Sequence, residues 1–141
     1  MLLEQLNSLY SLLKSSHIKG RYVTISDIEK CLVDFPKSLV SISGYSEEGR
    51  PIYSIKIGSG NKRILLWSQM HGNESTTTKA VIDCVNLFLT NNNLPNTILA
   101  ECTLCIIPIL NPDGAERYTR LNANGIDLNR DAKNEKQLFN K

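Results

Sequence analysis

The chain has 141 residues, of which 41% are hydrophobic and 21% are charged, and its net charge is +2. This length suits one domain with a substantial core, and the composition excludes a disordered chain. The small net charge and the scattered basic residues argue against nucleic acid as a partner. No stretch reaches the ~20 apolar residues that a membrane helix needs, so no membrane partner is predicted.

The cysteines lie at positions 31, 84, 102 and 105. Cys102 and Cys105 form a Cys-x-x-Cys pair inside an apolar run, whereas redox pairs and zinc knuckles usually lie at a turn or a helix start. We therefore interpret both as small core residues of a strand. Cysteines without an evident partner suit a reducing compartment, and the first residues lack the basic region of a secretion signal. The expected location is the cytoplasm.

Two helices are predicted at the start of the chain. Leucines recur at helical spacing through residues 2–15, which indicates an amphipathic helix. Residues 24–35 indicate a second helix, with Ser26 as its N-cap and Glu29 completing a capping box three residues later.

Three strands are predicted next, at residues 38–46, 50–59 and 62–69. The segments 47–49 and 59–61 between them are short turns of the kind that joins antiparallel neighbours. The third strand has a nearly continuous apolar centre, which predicts a strand covered on both faces.

A helix over residues 77–91 and a strand over residues 101–110 complete the predicted sheet. A polar loop at 91–96 separates them, and the last strand should run parallel to 62–69 because a helix connects the two. The remaining residues are rich in turn signals. The expected fold is α/β, a mixed sheet with helices on both faces. The residues expected to turn the 77–91 helix towards the sheet are Ala80, Val81, Cys84, Val85, Phe88 and Leu89.

Polar motifs follow two of these strands. His71-Gly-Asn-Glu74 follows 62–69, and Asn-Pro-Asp-Gly with Asp-Leu-Asn-Arg follows 101–110. Sites in open α/β sheets lie beyond the carboxyl ends of the strands. Parallel strands would bring both motifs to one rim of the sheet.

His71 and Glu74 could supply an imidazole nitrogen and a carboxylate oxygen, a good pair of zinc ligands. Alternatively, Glu74 favours a helix N-terminus and His71 is a turn residue. Arg120, Asn129 and Arg130 could bind a carboxylate through the planar guanidinium fork, or they form a solvated basic loop. Asp127 could orient an arginine or serve as a turn acid.

Together and in this order, the motifs resemble the zinc metallocarboxypeptidases of the carboxypeptidase A type. The resemblance spans residues 40–132, including the segment Thr119–Asp131. Residues 1–35 match no part of the family pattern and are predicted to form an N-terminal helical segment, while residues 36–141 are predicted to be the N-terminal part of a catalytic domain. Residue 131 departs from the pattern, since digestive members usually have Asn there.

The resemblance implies a zinc-dependent peptidase that acts on peptides with a free C-terminal carboxylate. It implies that His71 and Glu74 are zinc ligands and that Arg120 stabilises the oxyanion. It also implies that Asn129 and Arg130 hold the terminal carboxylate of the substrate. A zinc-activated water would attack the scissile carbonyl, with a Glu as general base.

Two parts of the family pattern are missing from this sequence. No histidine follows His71 to act as third ligand, and Glu135 lies too soon after Arg130 to be the general base. We have no reason to expect His17 to replace the ligand. We expect a fragment of a longer protein that alone neither binds zinc tightly nor hydrolyses peptides.

Three alternatives remain open. One is a zinc amidohydrolase resembling the aspartoacylase and succinylglutamate desuccinylase group, although such proteins usually lack the Asn-Pro-Asp-Gly turn followed by Arg120 and Asn122. A second is a murein-peptide hydrolase of the same fold. The third is a non-catalytic binding module that keeps the fold without the activity.

Overall fold

The computed structural model describes residues 2–90 and 93–131. They form a four-stranded mixed sheet with helices packed on it. The helices are α1 (Leu2–Leu13), α2 (Ile25–Leu32), α3 (Thr76–Phe88), α4 (Asn93–Glu101), α5 (Pro112–Arg117) and α6 (Leu128–Asp131), with a 3-10 turn at Lys37–Leu39. The strands are β1 (Val40–Tyr45), β2 (Pro51–Ile57), β3 (Lys62–Trp67) and β4 (Cys102–Ile107).

The strand order is β1-β2-β4-β3. β1 and β2 are antiparallel, as their short turn predicts, and β3 is parallel to β4, which confirms the second pairing expectation. The expectation that residues 59–61 join antiparallel neighbours is wrong, because β4 lies between β2 and β3 and pairs with β2 in antiparallel fashion. A turn's length specifies only a local connection, and β4 enters from 35 or more residues further along the chain.

The core lies against one face of β2 and β4. Ile55 is paired with Ile106, and Ile57 is paired with Leu104, so their side chains share a face of the sheet. All four are no more than 4% exposed. Buried residues of the helices pack against them: Ile25, Ile28 and Cys31 from α2, and Ile82 and Val85 from α3. Buried and more exposed residues alternate from Leu104 to Ile107 in β4 and from Ile55 to Ile57 in β2, as a covered face requires, although Ser54 of β2 is buried as well.

Helix α2 begins two residues earlier than its sequence pattern predicts. Its N-cap is Thr24, and the backbone N–H of Thr24 donates to Asp27 Oδ2 over 3.1 Å. The capping box predicted at Ser26 is therefore wrong. Both boxes fit the sequence rule, but only the earlier one leaves Ile25 inside the helix, on the stripe that reaches the core.

Thr24→Ala tests this helix start. We expect it to lower the free energy of unfolding by about 0.5–2 kcal/mol, because the cap loses its side-chain hydroxyl. The matched control is Ser26→Ala, which removes an exposed hydroxyl and should change that free energy by less than ~0.5 kcal/mol. Urea denaturation measures both values. A larger loss for Ser26→Ala would show that the cap lies where the sequence pattern puts it.

Helix α3 presents a different stripe to the core from the predicted one. Its buried residues are Thr78, Ile82 and Val85, whereas Ala80 and Cys84 are exposed. The prediction for this helix is therefore only partly correct. Of the predicted core residues, Val85 is buried, and Val81 and Phe88 are partly buried and pack against the core. The polar Thr78 faces inward because its hydroxyl donates to Gln69 Oε1 over 2.7 Å, a contact that a count of apolar residues does not include.

Two predicted loops contain helix. Residues 93–96 belong to α4 rather than to a polar loop, and Pro95 is tolerated there because it lies in the first turn. Residues 91 and 92 of that loop lie outside the described residues. Asn-Pro-Asp-Gly opens α5 rather than a simple turn. Asn124-Gly125 does form a turn, with Gly125 at φ 75°.

Strand β3 is not covered on both faces, contrary to the prediction. Among the described residues it pairs only with β4, so its other edge is open. Leu65 is 56% exposed and Trp67 is 47% exposed. The continuous apolar sequence predicted burial, but no described element lies beyond β3 in the sheet to provide it. An open apolar strand edge favours association with another strand.

The cysteine interpretation is correct for the strand but not for the core, because Cys102 and Cys105 are only partly buried. Cys102 and Cys105 lie in β4, and each of the four cysteines is a free thiol. The pKa of the Cys31 thiol is raised, chiefly by burial and also by nearby Asp27, Asp34 and Asp83, although the hydrogen bond between Cys31 and Ser15 lowers it. Within the described residues no helix is long and apolar enough to cross a membrane.

The open edge of β3 should make the 141-residue chain self-associate. We expect Leu65→Lys to reduce this association, since a lysine on an edge strand opposes pairing. The control Val33→Lys replaces a side chain that is 82% exposed but lies outside the sheet, and it should leave association unchanged. Sedimentation velocity across a concentration series compares the variants. Equal effects of both lysines would implicate net charge rather than the strand edge.

Candidate active site

The loops after β3 and β4 leave the sheet together and are bonded to each other. Ser68 N donates to Ile107 O over 3.0 Å, and Leu110 N donates to Ser68 O over the same distance. Asn111 N donates to Gln69 O over 3.2 Å. The expectation that both motifs meet at one rim is confirmed, because parallel pairing places both strand ends at the same edge.

Gln69 fixes the path of the loop that carries His71. Its backbone has φ 48°, a left-handed conformation that is uncommon for a residue other than glycine. The side chain is 3% exposed, and its amide nitrogen donates to Val23 O at 2.8 Å and to Gly72 O at 2.7 Å. These bonds hold a conformation that costs on the order of 1–3 kcal/mol. Sequence reasoning missed this residue, since a single glutamine carries no spacing signal.

The two motifs are packed backbone against backbone. A Cβ atom added at Gly72 would lie 1.9 Å from the carbonyl carbon of Gly114, so only glycine fits there. Asn111 caps α5, its side-chain oxygen accepting from Gly114 N over 2.9 Å. Helix α5 is thereby held directly under the His71 loop.

Asp113 ties the β1–β2 turn to α5. Its carboxylate is buried and accepts from Ser46 Oγ at 2.7 Å, from Glu48 N at 3.2 Å and from Arg50 Nη1 at 2.6 Å. Arg117 also pairs with Glu48. Every partner of Asp113 here belongs to the turn or to its supports, so this carboxylate shapes the loop.

Four polar side chains form a closed cluster at the rim. His71 lies between two carboxylates: its Nδ1 is 3.1 Å from Glu74 Oε1, and its Nε2 is 3.1 Å from Asp127 Oδ1. Arg120 completes the cluster, with Nε 2.9 Å from Asp127 Oδ2 and Nη1 3.4 Å from Glu74 Oε1. His71 is 8% exposed, so its ring is held in a fixed orientation.

Asp127 is the residue whose role the sequence left open. It contacts both His71 and Arg120, and it also accepts from Asn129 N over 3.0 Å. Partial burial raises the pKa of this carboxyl, but hydrogen bonds from Arg120, Asn129 and His71 and the Arg120 charge outweigh burial and hold the pKa below its ordinary value. Asp127 is therefore a permanent acceptor for the His71 ring at neutral pH.

The other predicted residues lie beside this cluster. Asn129 and Arg130 are exposed in α6, directly after Asp127, and Arg130 Nη1 donates to Asn129 O over 3.3 Å. His17 is paired with Asp34 over 2.8 Å and contacts none of the cluster. Glu135 lies outside the described residues.

The donor atoms present fit part of a zinc site. Two ligands about 2.0–2.1 Å from a tetrahedral zinc are roughly 3.3 Å apart, close to the 3.1 Å between His71 Nδ1 and Glu74 Oε1. Asp127 on the opposite ring nitrogen supplies the carboxylate contact that commonly orients a zinc-bound histidine. Within the described residues, no group of three or more His, Cys, Asp or Glu could hold a metal ion.

A match to a family model identifies the protein family of this chain. Residues 28–141 match the model of the family described as zinc carboxypeptidase. The chain belongs to this family. The zinc carboxypeptidase match includes every residue of the rim cluster, while the division predicted between residues 35 and 36 stays a prediction.

Curated relatives of this zinc carboxypeptidase chain agree with the family assignment. Carboxypeptidase SOL1 of Arabidopsis thaliana is 33% identical over 124 residues, which are 78% of this chain and 25% of the relative. Gamma-D-glutamyl-L-diamino acid endopeptidase 1 of Lysinibacillus sphaericus is 32% identical over 124 residues, 82% of this chain and 30% of the relative. The chain thus spans about a quarter to a third of these relatives.

Solved structures confirm the fold class. A metallo-carboxypeptidase from Burkholderia cenocepacia has a TM-score of 0.68 at 22% identity and covers 78% of this chain and 33% of its own. A Pseudomonas aeruginosa metallo-carboxypeptidase in complex with (2-guanidinoethylmercapto)succinic acid has a TM-score of 0.58 at 25% identity. The match covers 74% of this chain and 29% of the Pseudomonas chain. The mixed α/β fold is that of the zinc carboxypeptidases.

Asp127→Ala tests whether this carboxylate orients His71. With Asp127 present, a neutral His71 can keep its proton on Nε2, which leaves the Nδ1 lone pair free. Without it, Glu74 is the remaining acceptor and the proton should move to Nδ1. Nitrogen-15 NMR of the histidine ring at pH 8 without metal should show a lower Nε2–H population. Asp131→Ala, four residues later, is the control, and an unchanged His71 spectrum in Asp127→Ala would contradict the role.

Proposed function

We propose that the complete gene product containing this chain is a zinc-dependent metallocarboxypeptidase that hydrolyses C-terminal peptide bonds. The observation that carries the proposal is the approach of His71 Nδ1 and Arg120 Nη1 to one oxygen of Glu74, at 3.1 and 3.4 Å. Two potential ligands and a cation thus share one point at the end of β3. Membership of the zinc carboxypeptidase family and the name of the Arabidopsis relative support this function.

In this proposal His71 and Glu74 hold the zinc ion. When bound, zinc activates a water molecule for attack on the scissile carbonyl. Asp127 keeps the Nδ1 lone pair of His71 directed towards Glu74. Arg120 carries its positive charge beside Glu74, where it can stabilise negative charge that develops on the carbonyl oxygen.

Asn129 and Arg130 are proposed to bind the terminal carboxylate of the peptide. A guanidinium offers two parallel N–H donors to a carboxylate, and a neighbouring amide adds a third. Both residues are exposed and lie two and three residues after Asp127, and the backbone N–H of Asn129 donates to that carboxylate. A carboxylate bound there would lie on the Asp127 side of His71, which confines cleavage to the last peptide bond.

The proposal assigns the third zinc ligand and the general base to parts of the gene product outside residues 1–141. Two donors leave a four-coordinate zinc short of protein ligands. On this view residues 1–141 alone bind zinc weakly and hydrolyse no peptide. Calorimetric titration of the 141-residue chain that gave stoichiometric, submicromolar zinc binding would contradict the assignment.

A second candidate is an endopeptidase for murein-type peptides. The Lysinibacillus relative, 32% identical, is named for cleaving the bond between a gamma-D-glutamyl group and an L-diamino acid. The same zinc site would serve that reaction, since only the groups around the scissile bond differ. The zinc amidohydrolase and the non-catalytic module predict different results in the experiment below.

Zinc content and substrate choice of the complete gene product test the function. Loaded with zinc, it should hydrolyse a blocked dipeptide faster than an N-acyl amino acid. Glu74→Ala should abolish both activity and bound zinc. Arg120→Ala should keep the zinc and lower kcat by about 10²–10³, because one stabiliser of the developing oxyanion is removed.

Glu116→Ala is the matched control for these variants, because Glu116 is an exposed carboxylate on α5 away from the cluster. It should retain both zinc and activity. A Glu74→Ala protein that keeps its zinc would show that the ligand is misassigned. Faster cleavage of the N-acyl amino acid would favour the amidohydrolase, and zinc-free, inactive protein would favour the non-catalytic module.

A further inference from the structure

A cavity of about 410 Å³ opens beside the rim cluster that His71, Glu74, Arg120 and Asp127 form. It shares Glu74 with the cluster, but neither Asn129 nor Arg130 lines it. His71 lies between Glu74 on its Nδ1 side and Asp127 on its Nε2 side, and Asn129 is bonded to Asp127. The cavity therefore lies on the opposite side of the His71 ring from the proposed carboxylate-binding pair.

One wall of the cavity comes from residues that precede the family match. Arg21 lines it, whereas the match to the zinc carboxypeptidase family begins at residue 28. The backbone around Arg21 is firmly held: Ser75 Oγ donates to Arg21 O, and Gln69 Nε2 donates to Val23 O over 2.8 Å. Val23 is 1% exposed. Arg21 is thus presented by an anchored segment rather than by a free arm.

The Arg21 side chain is oriented but has no ion-pair partner among the described residues. Its guanidinium carbon is 5.5 Å from the centre of the Tyr118 ring. Tyr22 packs edge-on against the same ring, with centroids 4.2 Å apart. A guanidinium held over an aromatic face keeps its N–H donors available to a ligand.

The charge of the cavity favours an anion. Its charged lining groups are Arg21, Lys79 and Glu74. Lys79 Nζ already donates to Gly20 O, and Glu74 is committed to zinc if the proposed function is correct. Lys79 keeps its charge and further N–H donors and so adds to the positive potential, whereas the planar guanidinium of Arg21 lies over the Tyr118 ring and forms no ion pair among the described residues. A planar guanidinium with free donors matches the two oxygens of a carboxylate.

We propose that this cavity binds a carboxylate on the N-terminal side of the scissile bond, and that Arg21 is a specificity-determining residue for peptides acidic at that side. The inference rests on the proposed function, because that function places the scissile bond at Glu74 and His71. It adds a preference for the acyl part of the substrate, whereas Asn129 and Arg130 are proposed to bind the other end.

The first test compares two blocked dipeptides that differ only in Glu or Gln before the scissile bond. The zinc-loaded complete gene product should have the higher kcat/KM for the Glu peptide. Arg21→Ala should lower the Glu-to-Gln ratio by about tenfold or more, the effect of losing a hydrogen bond to a charged group, and leave the Gln peptide within twofold. Arg21→Lys should fall between. Lys19→Ala, an exposed cation two residues away that does not line the cavity, is the control.

Binding separates this inference from the proposed function. Uncleavable analogues of both peptides, with a CH2–NH link in place of the scissile amide, are titrated by calorimetry. The Glu analogue should bind more tightly, and Arg21→Ala should remove that advantage. Protein that shows this binding but cleaves neither peptide would overturn the proposed function and keep the carboxylate site. Equal affinity for both analogues, or an equal loss in Lys19→Ala, would overturn the inference whatever the activity.

Discussion

The parallel pairing of β3 with β4 is the constraint on which the rest of the site depends. Trp67 pairs with Ile107, so the two strands end level and their loops leave side by side. In an antiparallel pair the same loops would lie at opposite ends of six-residue strands, about 20 Å apart. Because the strands are parallel, His71 from one loop and Asp127 from the other come within hydrogen-bonding distance.

Asp127 shows how a single carboxylate can organise such a rim. It bonds the ring of His71, the guanidinium of Arg120 and the backbone of Asn129. Asp127 thus links residues that are proposed to bind the metal, to stabilise the oxyanion and to bind the terminal carboxylate. A shift of Asp127 would alter all three together, and the turn at Gly125, in which Asn122 N donates to Ile126 O and Gly125 N donates to Asn122 O, precedes it directly in the loop.

The parts of the structure that the sequence predicted are those that depend on local pattern. Each strand and the first three helices were predicted because apolar spacing encodes them, and the parallel pair followed from the intervening helix. The start of α2, the buried stripe of α3 and the position of β4 depend on partners distant in sequence. Thr78 is buried because of Gln69, and Gln69 holds its conformation because of Val23. Such chains of contacts leave no periodic trace, so Asp127 and Gln69 could not be assigned from spacing.

The open edge of β3 and the two proposed zinc ligands lie next to each other, because His71 and Glu74 follow β3 in the chain. Along β3 the backbone lacks a partner on one side within the described residues, and the loop after β3 carries His71 and Glu74, the two residues proposed to bind zinc. A further strand pairing in parallel with that edge would end at the same rim, and its loop would emerge beside His71. One added element could therefore cover Leu65 and Trp67 and also bring another ligand to zinc. On the proposed function, sheet completion and tight metal binding are then one event, and neither should occur without the other.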